Sequence, residues 1–525
     1  MPTILEALNL AQQALKSGDL AEAQFIYQQI LNAAPDEPNA LDGLGTLAYR
    51  AGQWEQAERY HRRAVEVVPD HPAFYCNLHF VYLRQGRLAE AVACCRRAVE
   101  LAPDLPELHN NLGVVLKETG ALEAARSSLE HAIQLRGDYA DAHYNLGNTL
   151  SLLRQLEEAE GAYRRALALT PADPATNNNL GSLLQLQGDY SGAAACFETA
   201  LGAEEHYVEA HRNRALLRLL LGDFARGWPE YEWRWRLSGV RKPDFMQPRW
   251  EGEPLSGRTI LLWCEQGLGD AIQFIRYAPL VQQSGARVLL ECPLRLHPLL
   301  ETAPGIDRLV PSGAVGESFD VHLPLLSLPA VLGTTPETVP AAVPYLFAQP
   351  ERVARWQREF AQVEPLKVGI AWQGNPAFPG DYYRSIPLAC FAPQASCRGV
   401  KLFSLQKQHG CEQLASLADA LKIVDLGATL DEACGAFLDT AAVMKNLDLV
   451  ITSDTSLAHL AGALGVPVWV ALPFSPNWRW QLARKESPWY PTMRLFRLAR
   501  LAEWNEVFSE MAVELQSFSS RAEVK

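Results

Sequence analysis

Apolar positions recur at helical spacing from the N-terminus to about Arg236, and the whole pattern of apolar, small and turn-forming positions repeats every 34 residues. Pro35, Pro69, Pro103 and Pro171 stand at multiples of that period, with Gly137 and Glu205 in the same register. Small residues mark two further slots, Gly45, Gly113, Gly147 and Gly181 in a first helix and Ala57, Ala91, Ala125, Ala159 and Ala193 in a second. Side chains that small let two helices approach closely, so each period predicts a helix pair. Gly18, Gly52, Gly86, Gly120, Gly188 and Gly222 fall between paired helices, where a helix C-terminus favours a residue that tolerates positive φ.

Beyond Arg236 the period stops, and the Pro-, Arg- and Trp-rich stretch Lys242 to Gly257 reads as a hinge. Short apolar runs then alternate with helix-length segments: Thr259–Cys264, Val288–Cys292, Arg308–Val310 and Phe319–Leu323, followed by a second cycle at Lys367–Trp372, Val400–Leu405, Ile423–Asp425, Asp448–Thr452 and Val468–Ala471. Alternation of this kind predicts two parallel, doubly wound α/β lobes with a cleft at the carboxyl ends of their strands. The expected boundaries are a solenoid of six to seven repeats over 1–237, a linker over 238–257, a first lobe over 258–345 and a second lobe over 346–525. The last helix, about Trp504 to Phe518, is expected to pack back on the first lobe.

The 34-residue pattern resembles the tetratricopeptide repeat (TPR) family over about residues 4–237, which implies an α-solenoid coiled as a right-handed superhelix around a concave groove. Asn77, Asn111, Asn145, Asn179 and Asn213 recur at the same spacing on the first helix of successive repeats, the groove-lining helix in that family. An amide offers a donor and an acceptor together, so this ladder suits the backbone of an extended acceptor polypeptide. The layout is similar to the O-linked N-acetylglucosamine transferases, which hold protein acceptors on such a ladder. A second reading stands beside it, in which the amides bond only within the solenoid.

Composition narrows the class. The chain has 525 residues, 48% hydrophobic and 20% charged, without an apolar run long enough to span a bilayer. Met1 to Ala14 reads as an amphipathic helix lacking the basic and apolar regions of a secretory signal, so a cytoplasmic location without membrane insertion is expected. Ten scattered cysteines, without a CxxC, imply neither a disulfide framework nor a metal site. A net charge of −13 argues against nucleic acid as the main partner.

Two segments carry candidate chemistry. Gly267-Leu-Gly269-Asp270 follows the first strand and opens a helix. Neither a third glycine in dinucleotide register nor a phosphate-loop lysine accompanies it, and Asp270 on these residues alone suits a helix cap. In the second lobe, Ser453-Asp454-Thr455-Ser456-Leu-Ala-His459 ends a strand and starts a helix, a ready anion site whose N–H groups and hydroxyls suit a diphosphate, with His459 one turn in. Asn375, Arg384, Gln406 and Lys407 follow neighbouring strands, Arg384 and Lys407 suited to phosphate and Gln406 to a nucleobase. Together these segments, with the run PRWEG…GRTILLWCEQGLGDAIQFIRYAPL, resemble the family 9 glycosyltransferases over about residues 258–500. The resemblance implies the GT-B fold, a nucleotide-sugar donor, Asp270 as catalytic base and an inverting outcome. The family has Asp-Thr-Gly where this chain has Ser456. No DxD-like motif is present, so the expected enzyme is metal-independent and needs no cofactor beyond its donor substrate. A lipopolysaccharide- or exopolysaccharide-directed transferase and a scaffold with decayed lobes remain the alternatives.

Overall fold

The structure is a computed structural model that describes residues 3–522 apart from 241, 315, 364–365, 428, 433–434, 483 and 501–502. The chain divides into two compact units, one of Met1–Leu184 with Ser191–Glu205 and one of Gln185–Tyr190 with His206–Lys525.

The first unit is built from helices α1 (Ile4–Ser17), α2 (Leu20–Ala33), α3 (Pro38–Arg50), α4 (Trp54–Val67), α5 (Pro72–Arg84), α6 (Leu88–Leu101), α7 (Pro106–Glu118), α8 (Leu122–Leu135), α9 (Ala140–Leu152), α10 (Leu156–Leu169), α11 (Pro174–Gln187) and α12 (Tyr190–Ala203). Pro38, Pro72 and Pro106 open their helices at the first turn, where a missing N–H leaves no bond unmade. The alanine slot is closed entirely: Ala57, Ala91, Ala125, Ala159 and Ala193 are each 0% exposed. The glycine slot sets helix approach, since a Cβ on Gly113 would lie 2.5 Å from Leu129 Cγ and 3.2 Å from the Ala125 carbonyl oxygen. The expected α-solenoid of helix pairs is present.

In the second unit α13 (Val208–Leu220) and α14 (Phe224–Tyr231) keep the repeat register yet cluster with the α/β part. Aromatic packing explains it: the Trp228 ring meets Trp478 edge-on at 5.1 Å, and Phe224 stacks 6.4 Å from Trp489. Strands β1 (Thr259–Trp263), β2 (Arg287–Cys292), β3 (Arg308–Pro311) and β4 (Val321–Pro324) form a parallel sheet in the order β3-β2-β1-β4. A second parallel sheet, β10-β9-β8-β5-β6-β7, comprises β5 (Leu366–Ala371), β6 (Val400–Ser404), β7 (Val424–Asp425), β8 (Leu449–Ser453), β9 (Val468–Leu472) and β10 (Met493–Arg497). Two parallel sheets flanked by helices are the arrangement expected of a GT-B domain.

Two expectations need revision. The stretch read as a hinge is packed, because Trp250 is 3% exposed and Arg249 pairs in a parallel backbone bridge with His322 of β4. The last helix, Trp504–Ala522, packs on the second lobe and not the first. Its apolar stripe of Trp504, Val507, Phe508, Met511 and Leu515 joins a core with Val368, Trp372 and Phe391, and the Phe391 and Phe508 rings lie 4.6 Å apart.

Candidate functional site

In the second sheet the chain runs outward one way from β5 to β7 and the other way from β8 to β10, so the strand order reverses between β5 and β8. Ligands of open α/β sheets bind outside the carboxyl ends of strands at such a reversal. Gln373, Gly374 and Asn375 follow β5, Thr455 and Ser456 follow β8, and all five line a cavity of about 560 Å³. Gln406 and Lys407 after β6, Arg295 and Leu268 from the first lobe, and Phe437 complete much of its wall. Thr455 is the N-cap of helix Ser456–Ala463 in extended conformation, and its hydroxyl makes no cap hydrogen bond. The first-turn N–H groups at Ser456 and Leu457 therefore stand at the cavity without a side-chain acceptor from their cap.

The sequence candidates divide among wall, floor and staple. Lys407 lines the wall and donates to the Leu430 carbonyl. Asn375 makes a tight turn, its Oδ1 accepting from Ala377 N at 3.0 Å. Gln406 lines the cavity but has no capacity left for a base: Oε1 accepts from Trp372 N and Gln373 N at 2.9 and 3.0 Å, and Nε2 donates to the Gln373 and His409 carbonyls at 2.9 and 2.8 Å. It staples two strand-end loops together. Arg384 lies behind Gly374, where a Cβ would meet its guanidinium at 2.5 Å, and binds Asp381 at 3.0 Å and the Asp454 carbonyl at 2.8 Å.

Asp454 and His459 lie beneath the wall, 8% and 5% exposed. Burial pushes the Asp454 carboxyl above its ordinary range, with Arg384 and Arg479 pulling the other way. The His459 ring shares a 3.0 Å hydrogen bond with the Tyr490 hydroxyl and stacks on Trp480 at 5.4 Å. Burial and then the neighbouring Arg479, Arg276 and Arg384 cations hold its pKa well below the usual value, so it is neutral. His459 is thus enclosed as a packing residue, and not placed on the cavity wall for phosphate or ribose.

Asp270 sits in the first turn of α15 (Leu268–Phe274) in the first lobe. Its Oδ2 accepts from Gly267 N at 2.9 Å, so the cap is real, and Oδ1 accepts from the Arg479 guanidinium of the second lobe. Gly269 lets α15 reach the facing helix: a Cβ there would lie 3.1 Å from the His459 ring and 3.3 Å from Ser456 Cα. Arg479 is 7% exposed and also donates to Gln273 Oε1 at 2.6 Å and Asn477 Oδ1 at 3.0 Å. Sequence reasoning missed it, as it missed Arg276, whose guanidinium donates to the Trp489 carbonyl and, at 2.7 Å, to the Tyr345 hydroxyl. The only signal was an arginine between tryptophans just beyond a strand.

The asparagine ladder is engaged within the solenoid. Asn77 donates to Asp42 at 2.8 and 2.9 Å, Asn145 to Asn110 at 2.9 Å, and Asn179 to Tyr144 at 3.3 Å and Asn148 at 2.8 Å, each reaching back one repeat. Asn111 lies beside the Cys76 thiol, and Asn213 accepts from Arg212 at 3.4 Å in the second unit.

Comparison with known proteins gives two families. Tetratricopeptide repeats match residues 8–72, 43–106, 106–139, 140–173 and 178–231, and glycosyltransferase family 9 (heptosyltransferase) matches residues 376–472. The latter stretch holds Arg384, Gln406, Lys407 and the Asp454–His459 segment, and it begins well after Asp270. Protein FlbA of Caulobacter vibrioides is 28% identical over 335 residues, which is 58% of this chain and 55% of that protein, so the chain spans about half the length of the curated relative it matches. Among solved structures, a tetratricopeptide repeat protein from Parabacteroides merdae is 15% identical, with a TM-score of 0.39, covering 45% of this chain and 93% of that one. PilF of Pseudomonas aeruginosa is 17% identical, with a TM-score of 0.36, covering 40% of this chain and 95% of that one. The chain therefore carries stretches that match tetratricopeptide repeats and, in its second half, a stretch that matches glycosyltransferase family 9. Among the described residues no helix is long and apolar enough to cross a membrane.

Proposed function

We propose that the α/β unit transfers a sugar from a nucleoside diphosphate donor to an acceptor hydroxyl, and that the acceptor is a polypeptide. The observation that carries the donor half is the uncapped N-terminus of helix Ser456–Ala463, facing a cavity at the strand reversal inside the family 9 segment. Oriented N–H groups and the positive helix end favour a diphosphate. Lys407 on the wall and Arg384 behind Gly374 add cationic charge for the departing nucleoside diphosphate, so the reading requires no metal ion. In the step itself the acceptor oxygen bonds to the anomeric carbon, the bond from that carbon to the phosphate oxygen breaks, and the acceptor proton passes to Asp270. Each Asp270 oxygen keeps a lone pair beyond those engaged by Gly267 and Arg479, so proton transfer remains open to it.

The reading of a polypeptide acceptor held by the solenoid groove rests on the repeats themselves, since the ladder amides are partly spent on neighbouring side chains. Asn77, for example, points its amide nitrogen at both oxygens of Asp42 and leaves its carbonyl oxygen for a ligand. Thermal melts of the full chain with UDP, GDP, ADP and CMP at about a hundred times their dissociation constants test the donor half. A bound nucleotide then adds about 2.7 kcal/mol of stability. A chain whose melting point is unmoved by all four, at millimolar concentration, does not hold a nucleotide-sugar donor here.

A further inference from the structure

A second cavity, of about 470 Å³, opens at the carboxyl ends of β1 and β2 in the first lobe, within the size range of small-ligand sites, roughly 300–1,000 Å³. The loop Glu265–Leu268 separates it from the donor cavity, Glu265 lining one and Leu268 the other. Three residues of chain span at most about 11 Å, so one extended substrate can reach both sides.

Its walls differ in kind from those of the donor cavity. Phe245 and Trp263 form an aromatic side, with Phe245 fixed edge-on against Phe319 at 5.3 Å and His322 at 5.0 Å. Asp244, Glu265 and Glu291 supply carboxylates, and among the described residues no Lys, Arg or His lines the cavity. Glu265 is spoken for: both its oxygens take hydrogen bonds from Arg234, the closest at 3.0 Å. Glu291 gives one oxygen to Gly313 N at 2.7 Å. Its other oxygen and the whole carboxylate of Asp244 have no protein partner among the described residues. An aromatic face beside carboxylates without a counter-ion suits a cation, which gains from the ring quadrupole and from the charge together. A phosphate-bearing or otherwise anionic acceptor is repelled by the same groups.

We infer that this cavity binds the cationic side chain, lysine or arginine, of a polypeptide acceptor. The inference rests on the glycosyl-transfer reading, and it is favoured over a cationic sugar because the same chain carries tetratricopeptide repeats, a protein-interaction module.

The test uses the full chain and three fluorescent serine-containing probes: a dodecapeptide with two lysines, the same peptide with both lysines acetylated, and a glucosamine trimer. Anisotropy titrations are run on wild type and on the Asp244→Asn, Glu291→Gln double variant, in which the glutamine can still accept from Gly313. The lysine peptide is expected to bind wild type, to lose about tenfold in affinity both on acetylation and in the double variant, and to weaken with salt. Equal binding of lysine and acetyl-lysine peptides, or binding unchanged in the variant, overturns the inference. So does a glucosamine trimer that outbinds the peptide and loses affinity in the variant, or a wild type that binds none of the probes. Nucleotide melts on the same samples keep the two proposals apart. A nucleotide response without peptide binding sinks this inference alone, and its absence sinks the donor reading.

Discussion

Asp270→Asn tests both the base and the seam it belongs to. The carboxylate accepts one hydrogen bond on each oxygen, from Gly267 N and from Arg479, whereas an amide has a single acceptor oxygen. Whichever donor the amide oxygen keeps, the NH₂ group faces the other donor, so one bond is lost and Arg479, 7% exposed, loses its carboxylate. An unmet buried donor costs about 1–3 kcal/mol and a broken buried ion pair about 3–5 kcal/mol. Arg479 retains Gln273 and Asn477, so the expected loss is about 2–4 kcal/mol. Urea unfolding followed by tryptophan fluorescence reads it, because the indole of Trp489 donates to the Arg479 carbonyl at 2.9 Å and reports that seam. A double-mutant cycle with Arg479→Gln is expected to show a coupling of about 1–3 kcal/mol. If Asp270 also accepts the acceptor proton, Asp270→Asn loses about 10²–10⁴-fold in rate, while Arg479→Gln, similarly destabilised but retaining the carboxylate, loses much less. A coupling under about 0.5 kcal/mol refutes the seam. Equal rate losses in the two variants refute the base.

Glu265 gives a pH signature, since burial pushes its pKa up to about 7 against an ordinary value near 4.3 in the unfolded chain. Its contribution to stability is full below about pH 4 and is lost as pH rises through 7. The stability of Glu265→Gln relative to wild type should therefore improve from pH 5 to 7.5 in urea titrations, and a relative stability that does not change over that range would mean that Arg234 keeps Glu265 ionised throughout. Gly113→Ala should destabilise the solenoid by about 1–3 kcal/mol in circular-dichroism melts, because its Cβ collides with Leu129 and meets the Ala125 backbone. Lys407→Ala should weaken the best-bound nucleotide by about 10–100-fold in calorimetry, the worth of one charge-assisted hydrogen bond, and leave the lysine peptide unaffected.

What could be read from the sequence follows the range of the contacts involved. The solenoid was legible because its contacts are local and recur: Gly113 meets Leu129, Gly147 meets Tyr163 and Gly181 meets Phe197, always sixteen positions on. Strand runs and the helix start at Ser456 were legible for the same reason. Gln406 was misread because its amide is consumed by loops from two different strands, a three-dimensional fact absent from any local pattern. His459 was misread because its partners, Trp480 and Tyr490, arrive from beyond the next strand. Arg479 lies 209 residues from Asp270 and gave no signal that a pattern could pick up.

The long-range contacts of α15 and the turn after it share one face, and that has a mechanical consequence. Asp270, Gln273 and Arg276 stand three residues apart along α15 and the turn that follows it, and each is bound to the second lobe: the first two by Arg479, the third through the Trp489 carbonyl. Gly269 lets α15 come close to Ser456, the first residue of the helix that faces the donor cavity, since a Cβ there would lie 3.3 Å from Ser456 Cα. The candidate base and the candidate phosphate site are therefore tied to one another across the two lobes. Relative motion of the lobes would have to break a buried ion pair and several hydrogen bonds before it could separate them, a far larger penalty than hinging where the chain is less tied. Reacting groups held in this way need no closing step to align, since orientation is already supplied by the seam.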